Sequence, residues 1–491
     1  MPLEATDVWA DLVAIVHERA PEYTLREEYY TGAQALAIDP AELRSRFGQT
    51  FADFRDNLAK PIVEAAEGRV RIQDFGDGRG LGVDAGLVWE NNNMLVESTW
   101  IHREALVKGD SFVIVLPQED DSAGIWPQIS ESMALLWNDI YPRQKDAALK
   151  WWTEEITDSQ GTERTFVRAN LYFEDRIERY IARKEGSVLE DDFSKYMEWD
   201  DPTRHDVGEV PVFAFSPNYL LSTAGGVSDL EDAMPLIDMI NKTFLDMAVA
   251  SEFTSAPQRW ATGVEVPLDP KTGEPKSLFK AGGDTVWTTS NDGGKFGQFQ
   301  AGSIAGFKDA IDLLVEHLAV VSRTPLYYLQ AQPNWPSGET LRSIEAALRQ
   351  RVQDHQDAFT GVWTAIMAAS LRLQGLDVAD QELSEVTPTW LPPNAPFATR
   401  EHLEELKVHV EVLGIPEEMA WRKAGYTQQE IEEMLAMREE QASVGVDVAA
   451  ELQANAILDG VVGNGPAQTV NGLAPDTAAA DTVSDNPLVD G

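Results

Sequence analysis

The clearest alternation of apolar and polar positions lies between Ser322 and Gly375. Leu341, Ile344, Leu348, Val352, His355, Phe359, Trp363 and Ile366 recur at spacings of three and four, which predicts one face of a helix. Ser337 suits the N-cap, Glu339 the positive end of the helix dipole, and Gly375 the position just past the last turn. The face repeats after eleven residues, close to the period of a straight helix, which excludes a heptad coiled coil. The preceding stretch, 323–338, holds Pro325, Pro333, Pro336 and Gly338 and reads as a loop. It also carries Tyr327, Tyr328 and Trp335, too much aromatic surface for an idle connection. A long straight helix behind such a loop calls for a large neighbour, another domain or another copy of the chain.

The remaining pattern reads as α+β. Leu12, Ile15 and Val16 share a helical face in the first seventy residues, where Gly32 ends a helix and FADFRDNLAKPIVEAAEGRV forms a second amphipathic stretch. Trp89 to Lys108 predicts one helix with apolar Leu95, Trp100, Ile101, Ala105 and Leu106, broken by Gly109 and followed by the buried strand SFVIVLP. Strands are expected at WPQIS, MALLWND, KWWTEEI, RTFVRANLYFEDRIERYIA and VPVFAFSPN, separated by Gly, Asp and Pro. Helices followed by consecutive strands favour α+β over a repeating βαβ sheet.

Ser228 and Glu231 suggest a capping box, and Pro235 a kink in the helix LIDMINKTFLDMAVASEF. From Pro257 to Gly302 the texture becomes glycine-rich, with short strands expected at TGVEVP and DTVWTT. Helical spacing resumes at Ile304, Phe307, Ile311, Leu314 and Leu318, so 257–302 is a small insert between two helices. Arg259, Lys271, Lys276, Lys280 and Lys295 balance its acids. After Gly375 a Pro-rich passage leads into two helices, REHLEELKVHVEVLG and TQQEIEEMLAMREEQ, joined by IPEEMAWRKAGY. From about 445 the chain is small and polar and reads as a flexible acidic tail.

Composition narrows the function. A length of 491 residues exceeds one core, and 43% hydrophobic content is enough to fold. With no cysteine, disulfides, thiolate chemistry and cysteine-ligated metals are excluded. Glu4 and Asp7 stand where a signal peptide needs positive charge, and no uncharged apolar run approaches a membrane span. A formal net charge of −43 argues against gripping nucleic acid by counterion release, and fits either solubility or a surface that lies near DNA without adhering.

The stretch Gly293-Gly294-Lys295-Phe296 lacks the spacing and hydroxyl of a P-loop, and neither H-E-x-x-H nor G-x-S-x-G occurs. His402 and His409, seven apart, fit a surface helix better than a metal site, and His355 fits a packing histidine. Glu119, Asp120 and Asp121 fit a solvated turn better than a cation site. No catalytic residue, metal or cofactor is expected.

Several strings in order resemble the portal proteins of tailed double-stranded-DNA bacteriophages, especially long-tailed phages of actinobacteria. They are WENNNMLVESTWIHREALVKGDSFVIVLP (89–117), VSDLEDAMPLIDMINKTFLDMAVASEFTSAPQRWATGVEVP (227–267), SRTPLYYLQAQPNWPSGETLRSIEAAL (322–348) and LGIPEEMAWRKAGYTQQEIEEML (413–435).

The resemblance implies an α/β wing with N-terminal helices at 1–226, a first stem helix at 227–256, a clip at 257–302 and a second stem helix at 303–323. It then implies a tunnel loop at 324–338, the long helix at 339–375, the rest of the wing with a helical, crown-like region at 376–444, and a tail at 445–491. Tyr327, Tyr328, Gln330, Gln332, Asn334 and Trp335 become candidates to face DNA, and Lys271, Lys276, Lys280 and Lys295 candidates to dock partners. For the two tyrosines and Trp335, packing of the loop against the long helix is an equal alternative.

The implied assembly is a ring, usually of twelve subunits, at one capsid vertex of the virion, assembled in the host cytoplasm. Double-stranded DNA passes through it without sequence specificity. Its implied partners are the terminase large subunit, a head-completion adaptor, and the major capsid and scaffolding proteins, with no membrane. The absent P-loop fits a conduit whose motor is another protein. The alternative is a non-portal structural or scaffold protein of the virion, and an enzyme using paired carboxylates has no motif behind it.

Overall fold

The computed structural model describes residues 3–36, 55–76, 81–120, 122–141, 144–157, 161–219, 225–255, 259–263, 293–298, 304–331, 343–376, 380–393 and parts of 407–438. Several expectations lie outside the described residues. They are the strand at 284–289 and most of that at 262–267, Ser337, Leu341, His402, His409 and the tail beyond 445. The chain divides into two compact units, Met1–Gln429 and Glu430–Gly491. The second is described only at 431 and 434–438, where it is helical.

The first unit begins with α1 (Ala5–Thr31), closed by Gly32 at φ +74°. Its Trp9, Leu12, Val13 and Val16 pack on Leu149, Val167, Ala169, Leu171 and Tyr180. These belong to a five-stranded antiparallel sheet of β4 (Met133–Trp137), β5 (Lys145–Thr157), β6 (Glu163–Tyr172), β7 (Arg176–Ala182) and β8 (Tyr196–Arg204), in that order. Two neighbours in the chain, α2 (Ala59–Glu67) and β1 (Ile72–Gly76), precede α3 (Leu81–Asn91) and α4 (Met94–Lys108). A second sheet has β2 (Ser111–Pro117) between β3 (Ala123–Gln128) and β9 (Val212–Phe215).

The sequence SFVIVLP is apolar throughout because both faces of β2 are covered. Val113 and Val115 join a cluster with Phe359, Trp363 and Ile366 of the long helix, while Phe112 and Ile114 meet Met133, Leu135 and Ala148 of the five-stranded sheet.

The second half supplies α5 (Met234–Ser255), the antiparallel pair β10 (Arg259–Thr262) and β11 (Lys295–Gln298), and α6 (Ala305–Val321), which packs on α5. The long helix α7 (Ala346–Leu373) follows, 28 residues and about 42 Å at ~1.5 Å per residue. Gly375 beyond it takes φ +72°, as the sequence suggested. Then β12 (Thr387–Trp390) pairs with β1, and a short α8 (Glu417–Ala424) occupies the segment expected to be a joiner.

Four expectations change. The Trp89–Lys108 helix is two helices, because Asn93 adopts φ +52° and restarts the phase at Met94. Ile101, Ala105 and Leu106 are buried, but Leu95 and Trp100 are 69% and 55% exposed. Ser228 and Glu231 form no capping box. Ser228 Oγ donates to Val107 O at 2.5 Å and accepts from Leu230 N, while Glu231 pairs with Arg26 at 2.8 Å. Pro235 lies in the first turn of α5, where its missing N–H is no loss, so it stands at the start of the helix and not inside it. Ile344, expected on the core face, is 42% exposed.

Two buried polar joints hold the layers together. Asp110 accepts from Arg19 Nη2 and Tyr23 Oη, both at 2.8 Å, and from Gly226 N at 2.8 Å and Ser216 Oγ at 2.5 Å. A Cβ on Gly226 would lie 2.0 Å from Gly109 O, so this backbone crossing requires glycine.

The second joint is His102. Trp363 Nε1 donates to its Nε2 at 2.9 Å, so the proton sits on Nδ1 and is donated to Val70 O at 3.1 Å. Burial pushes the His102 pKa down to about 3, against a smaller opposing pull from the Val70 carbonyl.

The unfolded chain therefore takes up a proton near pH 6.5 that the folded chain refuses. Stability is fully present above that value and falls as pH drops toward 3, by about 2 kcal/mol at pH 5 for this one group. Urea unfolding at pH 7.5 and pH 5 should show that loss, and His102→Gln should reduce it. An equal loss in both proteins would refute the assignment.

Candidate functional site

The loop between α6 and α7 is the candidate site, and its roots are held by two charged clusters. Helix α6 ends with Arg323 at φ +51°, in the left-handed position where glycine is usual, and Thr324 N reaches back to Ala319 O at 3.0 Å. A single helical turn, Leu326–Leu329, follows Pro325.

The first cluster centres on Asp229, in the turn before α5. Its carboxylate accepts from Arg351 Nε at 2.9 Å and Asn218 Nδ2 at 2.7 Å, lies 3.0 Å from His355 Nε2, and pairs with Arg351 Nη2. Arg351 also donates to Ser322 O at 2.8 Å, Thr324 Oγ1 and Ile62 O. One guanidinium thereby ties α2, the end of α6, the turn before α5 and α7. Burial opposes ionisation of Asp229, but Arg351 and His355 outweigh it and hold the carboxyl well below the ordinary carboxylate range.

The second cluster holds the other side of the loop root. Arg69, just after α2, donates to Glu345 Oε1 at 2.9 Å and Tyr328 Oη at 3.0 Å. Tyr327 Oη donates to the same Glu345 oxygen, and the two tyrosine rings lie 4.6 Å apart. Burial and the Glu345 hydrogen bond both raise the Tyr327 pKa. Burial alone would raise Glu345, but Tyr327 and Arg69 hold it below its usual value. Gln330 Nε2 donates to Asp312 Oδ1 of α6 at 2.9 Å, and Leu329 and Gln330 share a cleft with Phe244, Met247, Ile311 and Val315.

Of the candidates from sequence, Tyr327, Tyr328 and Gln330 are thus brought together with α6 and the start of α7. Gln332, Asn334 and Trp335 lie outside the described residues. So do Lys271, Lys276 and Lys280, while Lys295 is exposed in β11 opposite Thr262. His355 packs in the core, as its place on the apolar face suggested. Asp120 bonds Ser122 in an exposed turn.

Sequence reasoning missed Arg69, Asp229 and Arg351. Arg351 carried a faint signal, a charge four residues before His355 beside the apolar stripe. Among the described residues no cluster of histidines and carboxylates is placed to hold a metal, and no helix is long and apolar enough to cross a membrane.

The arrangement is mechanical: it fixes where a loop leaves and re-enters the body. Arg351→Met should strand Asp229 and cost about 3–5 kcal/mol in urea unfolding, with Asp229→Asn in the same chain recovering part of it. Arg69→Ala, at the partly exposed cluster, should cost only about 1–2 kcal/mol. Its main effect should be faster amide exchange at 326–331. Equal losses from the two single variants would refute the ranking.

The chain matches the family described as "Phage portal protein, SPP1 Gp6-like" over residues 84–444. It is 28% identical over 371 residues to the portal protein of Mycobacterium phage D29, covering 73% of each chain. It is 26% identical over 370 residues to that of Mycobacterium phage L5, again 73% of each. Among solved structures it is similar to a chain from the "neck of empty GTA particle computed with C6 symmetry", with a TM-score of 0.42 and 10% identity, covering 77% of this chain and 91% of that one.

Proposed function

The chain belongs to the SPP1 Gp6-like family of phage portal proteins, and from that premise we propose that α5 and α6 are the stem helices of a ring-shaped DNA channel. The observation that carries this reading is the order of parts inside the matched region. Two packed helices flank an insert, and an anchored loop then leads into a long helix across the core. The wing is 1–226 with the return strand β12, the clip is the insert at 257–302, the tunnel loop is 324–338, and the crown-like region lies in 376–444. The role is structural, at the portal vertex of the virion, after assembly in the host cytoplasm.

Chemistry supports a conduit. A wall built from copies that each carry −43 repels phosphates instead of condensing on them, so a duplex can slide. Gln330, Gln332, Asn334, Trp335 and the exposed side of Tyr328 supply uncharged contact at the loop, while Tyr327 and the Tyr328 hydroxyl anchor it. The clip, with Lys271, Lys276, Lys280 and Lys295 balancing its acids, offers a neutral surface to the terminase large subunit and the head-completion adaptor. The outer body meets major capsid and scaffolding proteins. A non-portal scaffold protein, the other reading, would form no ring with a central hole.

Negative-stain microscopy of the purified chain should show rings with a central hole, and monomers at every concentration and salt would refute the reading. Replacing Gln330, Gln332 and Asn334 with lysine should leave rings intact but slow packaging and make DNA retention salt-sensitive. Wild-type packaging by that variant would remove these residues from the channel. Deleting 264–298 through a short glycine linker should abolish terminase and adaptor binding while the rest stays folded. Undiminished binding would move the docking surface elsewhere.

A further inference from the structure

The cleft at the outgoing root of the loop has the make-up of a ligand site. It encloses about 370 Å³ where α5, α6 and the end of the turn Leu326–Leu329 meet the segment before α2. Leu58, Phe244, Met247 and Leu329 give it apolar walls, and its charges sit at Asp56, Lys308 and Asp312. Apolar walls with a few polar groups are the usual composition of a small-molecule site.

The three charges do not cancel. Lys308 Nζ donates to Asp312 Oδ2 at 2.5 Å, and Gln330 Nε2 donates to the other oxygen of the same carboxylate. Asp56 is left over. Its backbone is pinned to α5: Asp56 N donates to Asn241 Oδ1 at 2.7 Å, and Asn241 Nδ2 donates to Asp56 O at 3.3 Å. Its carboxylate makes no hydrogen bond or ion pair with any described residue, and burial raises its pKa. A partly buried carboxylate without a partner is costly, and a cation that also brings hydrocarbon to cover the walls offsets that cost.

We propose that this cleft binds a small primary aliphatic amine, with its ammonium against Asp56 and its alkyl chain along Phe244, Met247 and Leu329. A divalent metal is the poorer occupant, because one free carboxylate above an apolar floor leaves it short of oxygen ligands. The site lies within one chain and does not depend on the ring reading. A bound amine packs on Leu329 beside the Gln330–Asp312 bond, so it steadies the outgoing root of the loop. A chain of −43 attracts any cation weakly over its whole surface, so selectivity for the alkyl chain is the signature of the cleft.

Titration calorimetry of the purified chain with n-pentylamine, in about 0.15 M salt to screen the exposed acids, should show one saturable site. Methylamine, which lacks the chain, and pentanol, which lacks the charge, should each bind at least about tenfold more weakly. Asp56→Asn should weaken pentylamine binding by about the same factor, while Asp120→Asn, in an exposed turn, should leave it unchanged. Met247→Lys, which tethers an alkylammonium in the cleft, should abolish binding. Amide exchange at 326–331 should slow with pentylamine in the wild type and not in Asp56→Asn. Equal affinity for methylamine and pentylamine, or unchanged binding by Asp56→Asn, would overturn the proposal. Binding that disappears as rings form would give the cleft to a neighbouring copy and overturn the free amine as its occupant. If Asp56→Asn unfolds, Met247→Lys and the comparison of amines decide. A chain that binds pentylamine but forms no ring would overturn the ring reading alone.

Discussion

The segments that frame the loop converge on one buried guanidinium. Arg351 sits on the core face of α7 and reaches an aspartate 122 positions earlier in the chain, two groups at the end of α6, and a carbonyl of α2. An ion pair in that environment loses most of its hydration, so it persists only because nearly every donor finds an acceptor. Its stabilising value over an apolar core is small. Its value as a specification is larger, since this docking lets one side chain satisfy Asp229, the Ser322 and Ile62 carbonyls and the Thr324 hydroxyl together. The helices on either side of the loop are therefore held in a fixed mutual position before any partner arrives.

Some of this was legible beforehand, and for local reasons. The long helix shows in its three–four spacing, β2 in an unbroken apolar run, and the terminations at Gly32, Gly109 and Gly375 in the one residue that takes positive φ without strain. Other parts were not, because their causes are distant. Strand β8, with Asp200, Asp201 and Pro202, has almost no buried residue and exists as an edge only because β7 pairs with it. The break at Asn93 hides in a run of asparagines. Asp229 and Arg351 are ordinary charges until the fold joins them. Of the loop, the prolines and aromatics were readable, but not that Arg69 would hold Tyr328 and Glu345, or that Glu345 would in turn accept from Tyr327.

The two loop clusters differ in kind, and the difference suits a moving part on a rigid frame. Asp229 and Arg351 are almost wholly shielded from solvent, whereas Arg69 and Glu345 keep some exposure. Water competes for the second pair and not for the first, so thermal opening is graded: the tyrosine turn loosens well before the helix junction does. With that order of strengths the turn at the loop root can open while the helices behind it stay docked.

The small pair β10–β11 sets a different kind of boundary. Thr262 faces Lys295 across the ladder, so the chain departs from the body and comes back to it at points about 5 Å apart. Whatever is threaded between those points, the helices on the near side meet the same two ends. Insertions and deletions beyond the pair add only a slowly growing closure entropy. The paired strands thus act as a clasp: the segment beyond them can change in length or sequence while the two helices on the near side keep the same ends to fold against.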